Sequence, residues 1–287
     1  MPLESFLTRA EALLSRLEKL LPSEAGSAVW DTDAIAWRWR SKNGRGALFP
    51  VSHTVRISLP DLYFVERQKA LLEQNTRQFM EGKPANNALL TGARGTGKSS
   101  LIRACLNRFA GDGLRLIEVD RNDLADLPEI SDLIASRPER FILYCDDLSF
   151  DEGDGSYRTL KSALDGGIAA QPDNLLIYAT SNRRHLLPER FSDNEGYTQG
   201  TDGEIHPGEA VEEKISFSDR FGLWLSFYSF SQDEYLAIVA HWLRVFGCTD
   251  ALVEQARDEA LQWALHRGSR SGRTAWQFAR DFAGRHL

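Results

Sequence analysis

Gly92-Ala93-Arg94-Gly95-Thr96-Gly97-Lys98-Ser99, continued by Ser100, is the stretch whose reading decides the fold. It meets the pattern Gly-x-x-x-x-Gly-Lys-[Ser/Thr]. Its flanks are of the required kind: Ala88-Leu89-Leu90 before it reads as a buried strand, and Ser100 to Phe109 after it reads as a helix. Glycines reach backbone conformations closed to other residues, so successive N–H groups can turn inward on an anion, and the following helix adds its positive N-terminal end. Lys98 is placed to neutralise the β and γ phosphates of a nucleoside triphosphate. Ser99 offers a hydroxyl to Mg²⁺, a hard ion that takes oxygen ligands. Chance alone produces these four fixed positions in about one sequence in a hundred of this length, before the flanks are counted. Gly92 to Ser100 is therefore read as a cradle for ATP and Mg²⁺.

Outward from the cradle, Phe141-Ile142-Leu143-Tyr144-Cys145 is an apolar strand tipped by two acids, Asp146 and Asp147. Asp146 suits magnesium held through its water shell, and Asp147 suits polarisation of an attacking water. Strand signals at Asn87–Leu90, Arg115–Asp120, Arg140–Cys145 and Leu175–Thr180 alternate with polar or helical segments, the rhythm of an α/β fold with a mostly parallel sheet flanked by helices. A helical pattern with Val65, Leu71, Leu72 and Phe79 runs between Asp61 and Glu81 and stops at Gly82-Lys83-Pro84. The stretch 192–213, rich in acids and glycine and containing Pro207, reads as a long exposed loop. From Gln232 onward the chain reads as helical.

At the N-terminus, Phe6, Leu7, Ala10, Leu13, Leu14, Leu17, Leu20 and Leu21 follow a helical period that Pro22 ends. From Ala34 to Arg40 the pattern alternates. Ile35, Trp37 and Trp39 share one face and Ala36, Arg38 and Arg40 the other, as in a half-buried strand with a solvated arginine face; aromatic and arginine side chains together also suit single-stranded bases. The expected division is an N-terminal extension over 1–55, an α/β core over 56–230 and a helical lid over 231–287.

Bulk properties narrow the function classes. With 41 acidic against 34 basic residues, a net charge of -7 excludes a surface tuned as a whole to coat nucleic acid. Cys105, Cys145 and Cys248 lie in apolar or helical contexts without paired spacing, which predicts buried, reduced thiols. The start, Met1-Pro2-Leu3-Glu4, lacks the basic residues and apolar run of a secretory signal, and no stretch is apolar over a bilayer's length, so a cytoplasmic setting without a membrane partner is expected.

These residues resemble the AAA+ ATPases. Leu175-Leu176-Ile177-Tyr178-Ala179-Thr180-Ser181-Asn182 is similar to the strand that ends in sensor 1, which implies that Asn182 orients the attacking water. Ser216-Phe217-Ser218-Asp219-Arg220-Phe221-Gly222 resembles the segment carrying the arginine finger, which implies a homo-oligomer in which Arg220 reaches the ATP of the neighbouring subunit. Gly272-Arg273 resembles sensor 2, although Arg267, Arg270, Arg280 and Arg285 compete with Arg273 for that role. Asp61 to Gln68 resembles the linker that lines the adenine pocket, with Phe64 and Val65 placed for apolar contact. More narrowly, Asn86 to Ser100 and Glu204 to Glu209 resemble an uncharacterised bacterial family of AAA+-type ATPases, a likeness extending from about Ala34 to the C-terminus. One departure is Asp146-Asp147 where many AAA+ proteins carry Asp-Glu, a shorter pair also seen in initiator-type AAA+ proteins.

The resemblance implies an ATPase that hydrolyses ATP to ADP and phosphate and drives an assembly-dependent conformational change on a protein or nucleic-acid target. The alternative is a nucleotide-dependent binding or scaffold protein with little turnover, for which Asp147 and the acidic loop leave room. A small-molecule kinase or GTPase fits less well, since neither an acceptor site nor an Asn-Lys-x-Asp guanine-reading motif is found. His206, alone among acids in a loop, reads as a surface residue rather than a metal ligand.

Overall fold

A computed structural model describes Trp30 and residues 33–42, 45–149, 155–164, 171–182, 198–199, 205–206 and 219–287. The expected helix over 5–21 and most of the acidic loop over 192–213 lie outside the described residues. In chain order the elements are β1 (Ala36–Lys42), β2 (Arg45–Pro50), α1 (Glu66–Met80), β3 (Ala88–Gly92), α2 (Lys98–Phe109), β4 (Leu114–Glu118), α3 (Leu127–Ala135), β5 (Arg140–Cys145), α4 (Gly155–Leu164) and β6 (Leu175–Ser181). A two-residue antiparallel pair, β7 (Thr198–Gln199) and β8 (Ile205–His206), precedes β9 (Leu223–Phe227). Four helices close the chain: α5 (Gln232–Val245), α6 (Asp250–Gln255), α7 (Arg257–His266) and α8 (Gly272–His286).

The main sheet has the order β2-β1-β4-β5-β6-β3-β9, and only the β1–β2 pairing is antiparallel. The central strands β5 and β6 are apolar over most of their length because helices cover both faces. Within β5, Phe141 and Leu143 turn to a core shared with Leu127, Ile130 and Ile134 of α3, while Ile142 and Tyr144 turn to one shared with Leu72 and Phe79 of α1 and Ile102 and Cys105 of α2. The helices after β9 bury a third core of their own around Tyr235, Leu243, Phe278 and Phe282. Cys105, Cys145 and Cys248 are all buried and unpaired, as their apolar surroundings predict.

β1, from the stretch expected as an extension, is an interior strand of this sheet, paired with β2 on one side and β4 on the other. The alternation holds for the tryptophans and arginines but not for Ile35, which lies outside β1 and packs with the buried Ala36 against the opposite core. Trp37 and Trp39 are 2% and 1% exposed, Trp39 Nε1 donates to Asp126 Oδ2 at 3.0 Å, and Arg38 pairs with Glu118 at 2.7 Å. Buried in this way, neither indole offers a face on which a base could stack.

Because β6 is inserted between β3 and β5, its C-terminal end stands between the glycine loop after β3 and the acidic tip of β5. Ligands of open parallel sheets bind at such strand ends. Among the described residues, no helix is long and apolar enough to cross a membrane.

Candidate active site

Lys98 is the first residue of α2 and is 6% exposed. Its ammonium donates to the carbonyl oxygens of Gly92 and Ala93, both at 2.7 Å, and to Asn182 Oδ1 at 3.1 Å. Burial pulls its pKa down to about 8, against the raising influence of Asp146 and Asp147; Arg273 and Arg94 add to the lowering. Gly92 takes φ 127°, and a Cβ there would stand 1.9 Å from the carbonyl oxygen of Phe227, so the neighbouring strand β9 excludes any side chain.

The acidic tip is organised by β6. Asp146 Oδ1 accepts from Ser99 Oγ at 2.8 Å and from Thr180 Oγ1 at 2.6 Å. Burial opposes ionisation of Asp146, but its polar neighbours, the Thr180 hydroxyl foremost and then those of Tyr144 and Ser99, outweigh it and hold the carboxyl below the ordinary aspartate range. Asp147 adopts φ 54°, a left-handed conformation that aspartate tolerates better than most residues. Its N–H donates to Thr180 Oγ1 at 3.0 Å, its Oδ1 accepts from Asn182 Nδ2 at 2.6 Å, and its Oδ2 lies 3.9 Å from Arg94 Nη2. Asn182 thus bridges Lys98 to Asp147.

These groups face one cleft of about 850 Å³. Arg94 to Ser100, Asp146, Asp147, Asn182 and Arg273 line it, whereas Gly92 and Ala93 lie behind Lys98 and present their carbonyls to it. Val65 lines the cleft but Phe64 does not: a backbone φ of 61° turns it aside, its ring centroid 6.4 Å from that of Phe230, and Leu62 and Tyr63 take its place. Arg220 sits in the turn before β9, outside its own chain's cleft.

The C-terminal helices meet the glycine loop directly. Gly272 N–H at the start of α8 donates to Gly95 O at 2.9 Å, and a Cβ on Gly95, which has φ 75°, would lie 2.7 Å from Ser271 Oγ. Of the competing arginines only Arg273 lines the cleft. Arg267 lies over the Trp263 ring, Arg280 lies over Trp276, and Arg285 pairs with Asp281 and Glu259.

Several cleft groups escaped the sequence reading. Thr180 is a hydroxyl two residues before Asn182, directly after the apolar run Leu175–Ala179, a signal that could have been used. Arg103 lies four residues after Ser99, one turn along α2. Tyr63, Trp242, Phe246 and Trp276 come from three separate segments, and Tyr63 Oη joins His241 Nδ1 at 3.1 Å, tying the stretch before α1 to α5.

The donor set fits a magnesium nucleotide. Hydroxyl and carboxylate oxygens converge at Ser99 and Asp146, the chemistry Mg²⁺ selects, beside a buried ammonium whose acceptors are neutral oxygens. The sequence family described as "Protein of unknown function (DUF815)" matches residues 32–286. The chain belongs to this family. No curated protein matches it in sequence. Among solved structures, this DUF815 chain is similar to RuvB of Thermotoga maritima. An alanine-to-serine mutant of that protein is 16% identical with a TM-score of 0.51, covering 78% of this chain and 63% of that one. A proline-to-glycine mutant is 17% identical with a TM-score of 0.50, covering 79% and 65%. The FIGL-1 AAA domain in complex with ADP is 20% identical with a TM-score of 0.47, covering 81% and 74%. The chain thus spans less than two thirds of the RuvB chains it matches. At such identities the likeness shows the fold, and the fold is that of an AAA+ P-loop ATPase.

Proposed function

We propose that the protein binds ATP with Mg²⁺ in this cleft and hydrolyses it to ADP and phosphate. Nucleotide state then drives an assembly-dependent conformational change on a macromolecular target. The observation that carries this reading is the continuous hydrogen-bonded array Lys98–Asn182–Asp147 beside Ser99–Asp146–Thr180. In this reading Lys98 exchanges its carbonyl partners for phosphate oxygens, which need its charge more than neutral carbonyls do. Ser99 and Asp146 hold Mg²⁺, which supplies charge neutralisation where phosphoryl transfer develops it. Asp147 polarises the attacking water and Asn182, bonded to both Lys98 and Asp147, orients it. Arg273 reports phosphate to the lid through α8, whose first residue is bonded to Gly95. Arg220 acts on the cleft of a neighbouring copy, because a planar guanidinium binds two phosphate oxygens at once.

A second reading, a nucleotide-dependent scaffold that turns over rarely, is favoured by one observation. The Asp147 carboxylate is the shorter acid and is already held by Asn182 at 2.6 Å. ATP turnover per chain, measured against protein concentration, separates the two. A steep rise supports assembly-dependent hydrolysis, and a flat rate near zero across the range supports the scaffold.

A further inference from the structure

Tyr144 carries a polar group near the site that has no part in the proposed chemistry. It precedes Asp146 by two residues, and its side chain lies on the α2 face of β5. The residue is 1% exposed, and its hydroxyl has no hydrogen-bond partner among the described residues. Ser99 and Asp146 are close enough to bear on that hydroxyl as hydrogen-bonding groups, though not in bonding geometry, and Arg103 acts on it as a charge. Its register partner on β6, Tyr178, is equally buried on the same face, yet is satisfied by Thr76 Oγ1 at 2.9 Å and Asn75 Nδ2 at 3.1 Å. The fold therefore satisfies one buried phenol from α1 and leaves the other without a well-formed bond, sealed behind the two proposed metal ligands rather than lining the cleft. A buried hydroxyl without a partner is disfavoured, and a water or ion at the site is a common explanation.

We propose that the Tyr144 hydroxyl is a positioning group for bound magnesium, accepting a hydrogen bond from a water of the ion's shell beside Ser99 and Asp146. This rests on the reading of the cleft as an ATP–Mg²⁺ site. Magnesium dehydrates reluctantly and keeps several waters, whose hydrogens turn outward and require acceptors. The phenol oxygen is an acceptor of the right kind, fixed on a strand rather than on a loop. It makes no well-formed bond that taking the water would break.

The test uses the full chain, a non-hydrolysable ATP analogue, and calorimetry with Mg²⁺ or with EDTA, together with thermal unfolding of the nucleotide-free protein. In the unaltered chain Mg²⁺ is expected to tighten binding. Tyr144→Phe is expected to lose about two- to tenfold of that tightening, the worth of one hydrogen bond, while affinity in EDTA and the unfolding midpoint do not fall. Tyr178→Phe, which strips partners from Asn75 and Thr76, should lower the midpoint and leave the Mg²⁺ effect intact. An undiminished Mg²⁺ effect in Tyr144→Phe overturns the proposal. So does an equal loss of affinity with and without Mg²⁺ accompanied by a lower midpoint, which marks a structural hydroxyl. Failure of the unaltered chain to bind the analogue at all defeats the site reading itself, and this inference with it.

Discussion

Lys98 sits among neutral acceptors with its positive charge partly stripped of water, and its pKa of about 8 follows from that burial. Two opposite consequences of pH arise. The folded pKa lies below the unfolded value of 10.5, so the buried charge costs stability below about pH 8, and that cost is relieved as pH rises toward 10.5. Phosphate binding needs the charged form, so affinity for ATP should be highest below pH 8 and weaken above it. Bound phosphates raise the pKa again, and binding near about pH 8.5 should therefore take up a fraction of a proton. Calorimetry in two buffers of different ionisation enthalpy reads this directly, and equal heats contradict it. Gly92 makes a second residue-scale prediction. An alanine there combines φ 127° with a Cβ 1.9 Å from a backbone oxygen, so Gly92→Ala should destabilise the fold by more than about 3 kcal/mol in denaturant titrations. A loss under about 1 kcal/mol would show that β9 can move away.

Among the elements, the contact between α8 and the glycine loop is the one that, in the proposed reading, couples the C-terminal helices to phosphate. Gly95→Ala would press a Cβ to 2.7 Å from Ser271 Oγ and strain a φ of 75°. The lid helices have their own core, so they should stay folded while the Gly272 N–H bond to Gly95 breaks. Hydrogen exchange at the start of α8 should accelerate while that of α5 is unchanged; an unchanged amide at Gly272 argues against the coupling. The same elements show why some were legible in sequence and others were not. β5 and β6 are covered on both faces and read as continuous apolar runs, with Asp146, Asp147 and Asn182 at their ends. β9 is an edge strand whose Trp224 and Ser226 retain exposure; Leu223–Phe227 is short and its apolar run is broken by Ser226, and it was not anticipated. Phe64 takes a positive φ and lies outside the cleft that Tyr63 lines, a backbone feature that no side-chain pattern encodes. The aromatic end of the cleft assembles from α5, α8 and the stretch before α1, and has no local signature for the same reason.

For the molecule as a whole, one chain holds a cradle, an acidic tip, a polar bridge and a lid arginine around a single cleft, while Arg220 stands outside it. That distribution fits catalysis completed by a neighbouring copy. Arg220→Ala should therefore keep ATP binding and lose hydrolysis, and mixing it with Asp147→Asn should restore part of the activity, since each variant supplies what the other lacks. Mixtures as inactive as their components would contradict an arginine acting between subunits. Everything at this scale depends on the cleft holding a magnesium nucleotide through Lys98. The measurement that tests this most directly is calorimetric titration of the unaltered chain and of Lys98→Ala with ATP and Mg²⁺. Saturable one-to-one binding is predicted for the first and a loss of at least about tenfold in affinity for the second, as removal of a charge-assisted contact to phosphate requires. Equal affinity in the two proteins, or no binding by either, would contradict it.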